Sequence, residues 1–532
     1  MINEVTWIVV LTTIGLCCSA YGNGGNDVAN SYATSVGSRA LKLWQVGVLA
    51  TVTEFVGAVA FGSRVTGTIK SGIIDLDRFR SQPAMMVLAM GCAEFGGAAW
   101  LLTATRVGFA VSTTQTAIGA LIGAGLASHA DIKWGWAKGS VSQIAASWGI
   151  APCAAAAVSA AIFATMKYLV LERKDSFPRA IRAIPFYFAF TATVLALFFT
   201  MELPISPGIR GEGALHPGVV VGIALGVFAA IFALSSFFFV PYVKLRFVRL
   251  DPRARIYHVV LGPLLNRDDP PLFWPGDENV AAAVRDYYAD AGHGNASTTP
   301  ESLEKGAGDG SQAGGANKHV EPEERWLEPC KHLRLTDRTR LFGMVKYYLL
   351  RGVMRDCVTH DTSGEMARVH ACARRYDNRV EHLWTYAQVI SAMMMSIAHG
   401  SNDVSNALGP WVGAYNTWLT GEVTDEATIP IWIVVVAGLL LGVGFWFSGY
   451  RIVRTMANDV TRMTPARGYA IEMGAAITVL AASALGLPIS TTQCLTGGLM
   501  GVALMNLDHG AVRWSKLVRI FGGRRKLSIC MA

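Results

Sequence analysis

Long apolar blocks separated by short polar turns dominate both ends of the chain. Runs such as Val219 to Val240 and Trp432 to Phe447 approach the roughly 20 residues that a helix needs to cross a bilayer. The pattern predicts spans at about 5–21, 43–62, 84–104, 106–128, 140–166, 184–200 and 217–243, and then at about 385–408, 430–449, 467–487 and 489–506. We therefore expect an all-α polytopic membrane protein with about 10–12 membrane segments.

A polar interval divides these blocks into two groups. We predict a membrane domain over 1–243, a loop over 244–384 and a second membrane domain over 385–532. Within the loop, about 290–325 is expected to be disordered, because stretches such as Gly306 to Asn317 contain too few apolar residues to form a core. The basic residues Lys244, Arg246 and Arg249 directly follow a span, which favours a cytoplasmic loop in a plasma-membrane protein.

Composition narrows the class of protein further. Only 16% of the 532 residues are charged, against a hydrophobic share of 52% and a mean hydropathy of +0.36. The net charge of +8 fits basic residues that flank membrane spans better than it fits a nucleic-acid partner. The sequence contains no P-loop, no Gly-x-Ser-x-Gly and no His-Glu-x-x-His. We therefore predict a lipid-embedded protein that is not an enzyme, with no cofactor.

Two motifs occur twice, in the same order. Gly24 to Asn30 (GGNDVAN) matches Gly400 to Asn406 (GSNDVSN), and Glu94 to Gln115 matches Glu472 to Gln493 without a gap. Such self-similarity indicates an internal duplication. Copy one enters the membrane from the predicted outside and copy two from the inside, which predicts two inverted repeats whose motifs meet near the bilayer midplane.

The first motif places a carboxylate inside an apolar segment in each copy. Asp27 and Asp403 are flanked by Gly and Asn, which tolerate unwound backbone, so we expect a broken helix at both positions. A duplicated Asp within the membrane is costly unless it faces a cavity or an ion, and we predict that both bind Na⁺. The alternative is that both lie in solvent-exposed loops.

The second motif is the tetrapeptide Ser-Thr-Thr-Gln, at 112–115 and again at 490–493. Gly and Pro precede it, and Ser is a preferred helix N-cap, so a half-helix or re-entrant hairpin is expected to begin at each copy. Free backbone N–H groups, the positive end of the helix dipole and the hydroxyl and amide side chains make an anion site. The alternative is that these hydroxyls only bond back to the preceding turn.

Three further carboxylates lie within predicted spans, namely Glu54, Glu94 and Glu472. Carboxylates beside an anion repel it unless cations neutralise them, so bound Na⁺ or H⁺ would couple to the anion's affinity. We assign all three as cation-binding. For Glu54 a structural ion pair with Arg64 or Arg106 is the alternative, and the second copy has Leu441 at its position.

At these motifs the chain resembles the inorganic phosphate transporter family, the sodium–phosphate symporters with relatives among plant and bacterial permeases. The resemblance covers about 1–250 and 385–520. It implies sensitive positions at Asp27, Glu54, Ser112, Asp403, Glu472 and Ser490. It also implies sodium near the acidic residues and phosphate on the tetrapeptides. The expected phosphate ligands are Asn26, Asn30, Ser112, Thr113, Thr114, Gln115, Asn402, Asn406, Ser490, Thr491, Thr492 and Gln493.

The sequence departs from the family after Trp514. In copy one, Trp134 leads into the span Val141 to Met166, which we expect to pack beside copy one. The resemblance implies an equivalent final helix after Trp514, which we expect to be missing, either in a truncated gene model or in a real variant. The leading hypothesis is a sodium-coupled phosphate symporter. Proton coupling, another oxyanion such as sulfate, and a non-transporting phosphate sensor or receptor remain alternatives, and a homo-oligomer is possible.

Overall fold

The structure of the chain, a computed structural model, describes residues 2–137, 139–202, 215–277, 284–288, 322–357, 369–424, 428–456, 461–506, 510 and 512–514. The regular structure of these residues is helical, apart from one isolated bridge between Ile74 and Ile132. In chain order the α-helices are α1 (Thr6–Asn23), α2 (Ala29–Gly37), α3 (Leu43–Phe61), α4 (Ser63–Ser71), α5 (Asp77–Arg80), α6 (Pro83–Arg106), α7 (Thr113–Ala127), α8 (Val141–Met166), α9 (Ser176–Glu202), α10 (Pro217–Leu234), α11 (Val240–Val243), α12 (Glu324–Leu327), α13 (Arg338–Met354), α14 (Asn378–Thr420), α15 (Ile431–Gly444), α16 (Tyr450–Met456), α17 (Pro465–Ala484) and α18 (Thr491–Asn506).

Seven helical segments among the described residues are long and apolar enough to cross a membrane. They are Asn3–Gly37, Leu43–Phe61, Pro83–Arg106, Val141–Leu171, Ser176–Met201, Pro217–Val248 and Ile431–Met456. Helices α14 and α17 are also long, whereas α7 and α18, with 15 and 16 residues, are too short to span alone. With these four, the described membrane segments fall within the expected range, and the all-α membrane architecture is confirmed.

The helices run through the Asn-Asp motifs without a break, so the broken helix expected there is wrong. In copy one, the turn Gly24–Val28 widens to π-helical geometry between α1 and α2. In copy two, α14 is a continuous helix of 43 residues. The glycines serve close packing instead, since a Cβ on Gly24 would lie 1.9 Å from the carbonyl oxygen of Leu441.

The two copies interlock through equivalent helix crossings. A Cβ on Gly57 of α3 would lie 2.3 Å from the carbonyl oxygen of Ile397 in α14. Likewise, a Cβ on Gly444 of α15 would lie 2.0 Å from the carbonyl oxygen of Tyr21 in α1. Each copy therefore packs its first long helix against the second long helix of the other, and both crossings require glycine at the contact.

Helix α8 packs against copy two, so the expectation that it covers copy one is wrong. Its main neighbours are α17 and α18. A Cβ on Gly497 would lie 2.2 Å from the carbonyl oxygen of Pro152, and one on Gly501 would lie 2.0 Å from that of Ala156. Small residues on α18 thus admit the backbone of α8, as in other closely packed membrane helices.

Helices flank the middle of the central segment. Ile256–Asn266 forms a 3₁₀ helix, and α13 docks against copy two, where a Cβ on Gly352 would meet the carbonyl oxygen of Trp446 at 2.0 Å. Most of the stretch expected to be disordered, through residue 321, lies outside the described residues, and Glu324–Leu327 at its end is helical. Residues 515–532, where the final helix is expected to be missing, also lie outside them.

Candidate ion and phosphate site

The two half-helices begin at the tetrapeptides, as predicted. Ser112 has extended backbone and caps α7, because its hydroxyl accepts a hydrogen bond from the Gln115 backbone N–H at 3.3 Å. Ser490 accepts the same bond from Gln493, also at 3.3 Å. Before each cap the chain reverses at a glycine with positive φ, 72° at Gly108 and 70° at Gly486, a conformation that other residues adopt only with strain.

The carboxylate of Asp27 lies between both half-helix N-termini. Its Oδ2 accepts hydrogen bonds from the backbone N–H and the hydroxyl of Thr113, at 3.1 and 2.8 Å. Its Oδ1 accepts one from the hydroxyl of Thr492 at 2.8 Å, and another from the amide of Asn30 at 3.1 Å. Asp27 is 1% exposed. One carboxylate therefore receives donors from the beginnings of both α7 and α18.

Asp403 lies beside Asp27 and has a histidine as an additional neighbour. Its Oδ2 accepts a hydrogen bond from the hydroxyl of Thr491 at 3.1 Å, and the Thr113 hydroxyl oxygen, which donates to Asp27, lies 3.2 Å from it. The Nε2 of His399 lies 2.9 Å from the same oxygen. One ligand atom from each of Asp27, His399 and Asp403 lies within 4.8 Å of the others, and all three residues are buried. The cluster can bind a single small cation.

Glu54 reaches this cluster through His399. Its Oε2 lies 2.7 Å from the Nδ1 of His399, and its Oε1 accepts a hydrogen bond from Ser396 at 2.6 Å. All three residues are fully buried. The ion pair with Arg64 or Arg106 is therefore not needed to explain Glu54, because Arg106 is exposed and His399 provides the contact.

The asparagines join the motifs to the turns before the half-helices. Asn26 donates to the carbonyl oxygen of Phe109 at 3.0 Å and accepts from the backbone N–H of Val111 at 2.9 Å. Asn402 occupies the equivalent position in copy two. When its amide is oriented so that both the oxygen and the nitrogen have partners, the nitrogen donates to the carbonyl oxygen of Ile489 at 3.2 Å. These side chains fix the turns, so they position the site more than they offer free ligand atoms.

Asn30 and Asn406 bridge the two copies. Asn30 donates to the hydroxyl of Thr492 at 2.8 Å, and Asn406 donates to those of Thr113 and Thr114 at 3.1 Å each. Each asparagine from one copy thus holds the tetrapeptide of the other. The motifs of both copies meet, as the duplication predicts.

Comparison with known proteins agrees with this arrangement. The profile of the phosphate transporter family matches residues 23–523, which includes both Asn-Asp motifs and both tetrapeptides. The chain belongs to the phosphate transporter family.

Similar proteins occur in fungi and vertebrates. This transporter is 32% identical over 572 residues to the phosphate-repressible phosphate permease of Neurospora crassa, covering 98% of this chain and 95% of the permease. It is 28% identical over 617 residues to sodium-dependent phosphate transporter 1-A of Danio rerio, covering 98% of this chain and 92% of that protein.

A solved structure has the same fold. The transporter superposes on a protein described as the sodium-dependent phosphate transporter with a TM-score of 0.65 and 22% identity, covering 99% of this chain and 96% of the other. Because the match covers 99% of this chain, it extends over both membrane domains and not over one half alone.

The structure separates the predicted site residues of this transporter into two groups. The Asn-Asp motifs, the tetrapeptides and Glu54 lie together in the centre. Glu472 lies against Thr34 and Ser391, and Glu94 borders a small cavity that also adjoins Thr113 and Asn406 of the centre. His399 belongs to the centre, but the sequence analysis gave it no role. The signal for it was the difference between His399 and Asn23 at otherwise matching positions.

Proposed function

We propose that this protein is a secondary active symporter that couples the entry of inorganic phosphate to sodium. The observation that supports this most is the position of Asp27 and Asp403 between the N-termini of α7 and α18. Those N-termini attract negative charge through free N–H groups and the helix dipole. Two carboxylates at the same place repel an anion, so phosphate requires a cation beside it.

Sodium is proposed to bind at Asp27 and Asp403, with Glu54 acting through His399. Carboxylate and hydroxyl oxygens are the ligands that hard cations prefer. Phosphate is proposed to bind the hydroxyl, amide and backbone N–H groups of residues 112–115 and 490–493, next to the asparagines of the motifs. With sodium bound, the carboxylates no longer repel the anion, which gives the two substrates a favourable coupling free energy.

The two copies are proposed to lie inverted across the bilayer, with the central segment in the cytoplasm and the protein in the plasma membrane. Equivalent crossings at Gly57 and Gly444 support equivalent roles for the copies. In that arrangement, rocking of one unit against the other exposes the central site to each side in turn.

Reconstitution into proteoliposomes tests this function. Uptake of radiolabelled phosphate is expected with an inward Na⁺ gradient and not with an equal K⁺ gradient. Uptake driven by a pH gradient without Na⁺ would favour proton coupling, and competition by equimolar sulfate would indicate a broader oxyanion substrate. If phosphate binds but is never taken up under any gradient, the symport proposal fails and a sensor gains support.

A further inference from the structure

Glu94 and Glu472 occupy equivalent positions in the two copies but have opposite surroundings. Glu472 is fully buried and accepts hydrogen bonds from four side chains, those of Thr34, Ser35, Gln388 and Ser391. Glu94 is 2% exposed, and neither of its oxygens accepts a hydrogen bond from the described residues. A buried carboxylate without partners is costly, so its retention calls for a ligand.

The sequence explains the difference. Gly15 stands in copy one where Ser391 stands in copy two, and Pro410 stands where the other copy has Thr34. Both still lie beside the carboxyl group, since a Cβ on Gly15 would be 3.2 Å from the Cγ of Glu94, and Pro410 borders the same cavity as Glu94. The equivalent positions lie in the same place, but glycine and proline have no hydroxyl group to donate.

A small cavity adjoins Glu94. It is large enough for about one water-sized particle, and its lining includes Ser19, Thr113, Thr116 and Asn406. Ser19 faces Glu94 without reaching hydrogen-bond geometry. The buried carbonyl oxygen of Asn406 also has no donor. Three buried acceptor oxygens, two from Glu94 and one from Asn406, therefore border one cavity.

We propose that Glu94, Ser19 and Asn406 form a sodium site separate from the cluster of Asp27 and Asp403. The proposal rests on sodium coupling and adds a second site to it. Unpartnered acceptor oxygens suit a hard monovalent cation, whereas they would repel an anion. A single water has only two protons to donate to the three oxygens. Glu472, whose oxygens are saturated by donors, instead joins α2, α14 and α17 as a structural anchor.

The geometry also connects this site to the central one. The Nδ2 of Asn406 donates to the hydroxyl of Thr113 at 3.1 Å, and that hydroxyl contacts Asp27 and Asp403 at 2.8 and 3.2 Å. A cation on the carbonyl oxygen of Asn406 orients the amide toward Thr113. Occupancy at Glu94 thus acts on the central carboxylates through two side chains.

The test compares Glu94→Gln with Glu472→Gln in the full chain. Sodium stabilisation is measured first, as the shift in melting temperature with NaCl against choline chloride in detergent without phosphate, because a ligand that binds only the folded state raises that temperature. In Glu94→Gln, the Na⁺ concentration for half-maximal stabilisation should rise about tenfold or more. In Glu472→Gln, the melting temperature should fall at every Na⁺ concentration, with its Na⁺ dependence unchanged.

Ser19→Ala and Ser391→Ala form a milder matched pair in case Glu94→Gln does not fold. Ser19→Ala should also weaken Na⁺ stabilisation, and Ser391→Ala should not. Equal Na⁺ curves for the wild type, Glu94→Gln and Ser19→Ala would overturn the proposal. So would an altered pH dependence of stability with an unchanged Na⁺ curve, which would mean that Glu94 carries a proton. Because neither readout needs transport, the site would stand even if no phosphate uptake were found.

Discussion

The two copies treat the same aspartate differently. His399 of copy two lies between Asp403 of the same copy and Glu54 of copy one, so an acid–histidine–acid triad supports the carboxylate. Around Asp27 the equivalent residues are Asn23 of copy one and Leu441 of copy two, and Asn23 donates to the backbone carbonyl oxygen of Asp403 at 2.9 Å. The two differences between the copies, His399 against Asn23 and Glu54 against Leu441, both affect the contact between His399 and Glu54. The duplicated unit has therefore kept its aspartates and changed the pair of side chains beside one of them.

This difference teaches that the halves share an architecture without sharing a chemical role. A neutral amide can be satisfied by the backbone, whereas a buried histidine between two carboxylates requires both of them. The acid-histidine pair therefore forms a unit that should be gained or lost together. The predictions below test how far the asymmetry extends.

The largest effect is expected from removing either aspartate. Asp27→Asn and Asp403→Asn should each reduce Na⁺-coupled phosphate uptake to background while the protein still reaches the membrane, because a neutral amide no longer attracts a cation. Uptake in proteoliposomes and surface labelling provide the measurements. Normal Na⁺-dependent uptake in both variants would remove these residues from the mechanism, and loss in only one would show that the copies are unequal here too.

Giving Asp403 the neutral Asn and Leu neighbours that Asp27 has should reveal the coupling between His399 and Glu54. His399→Asn leaves Glu54 buried without its partner, which should cost about 3–5 kcal/mol of stability. Adding Glu54→Leu, which introduces the residue found at the equivalent position 441 of copy two, should recover most of that loss. Thermal melts of both single variants and the double variant form a cycle. Additive effects would show that the two residues do not act as a unit.

The tetrapeptide serines should have smaller and nearly equal effects. Ser112→Ala and Ser490→Ala each remove a hydroxyl that can donate to phosphate, worth roughly 1.5–3 kcal/mol for a charged partner. Apparent phosphate affinity should therefore fall about 10- to 150-fold, with the backbone N–H groups still in place. The concentration dependence of uptake measures this, and an unchanged affinity in both variants would place the anion elsewhere.

The smallest effect is expected in the central segment. Deleting Gly306 to Asn317 should leave uptake near the wild-type level, because a shorter loop changes the closure entropy little. Gly352→Leu is the contrasting variant, since a side chain there meets the carbonyl oxygen of Trp446 and should undock α13 and lower the melting temperature. Loss of uptake on deletion, with normal membrane delivery, would assign the loop a regulatory role.

The sequence predicts the parts of this site that depend on local rules. The start of α7 at Thr113 follows from the serine cap and the preceding glycine, and the meeting of Asp27 with Asp403 follows from the duplication. The continuous helix at Gly24 could not be foreseen, because the same glycine suits a break and a close crossing equally well. Only tertiary packing against Leu441 decides between them.

The contact of His399 with Glu54 was hidden for a related reason. The two residues belong to different copies, and the sequence offset between the copies differs for their two segments. Aligning one copy with the other therefore does not show that His399 and Glu54 are neighbours. The exchange of α8 onto copy two was hidden as well, because a repeat in sequence does not say which copy each helix covers. The lack of hydrogen-bond donors around Glu94 could not be predicted either. It depends on Gly15 and Pro410, and only the structure shows that these two residues lie beside Glu94.

The packing of α8 on copy two also sets an order for biosynthesis. Its inner face, with Pro152 and Ala156, contacts α18 residues such as Gly497 and Gly501, which are synthesised about 345 residues later. At about 5–20 residues per second, the ribosome needs roughly 17–69 seconds to produce them. During that interval the inner face of α8 has no partner helix from copy two, and because the helix satisfies its own backbone groups, its apolar face can meet lipid until the second half arrives.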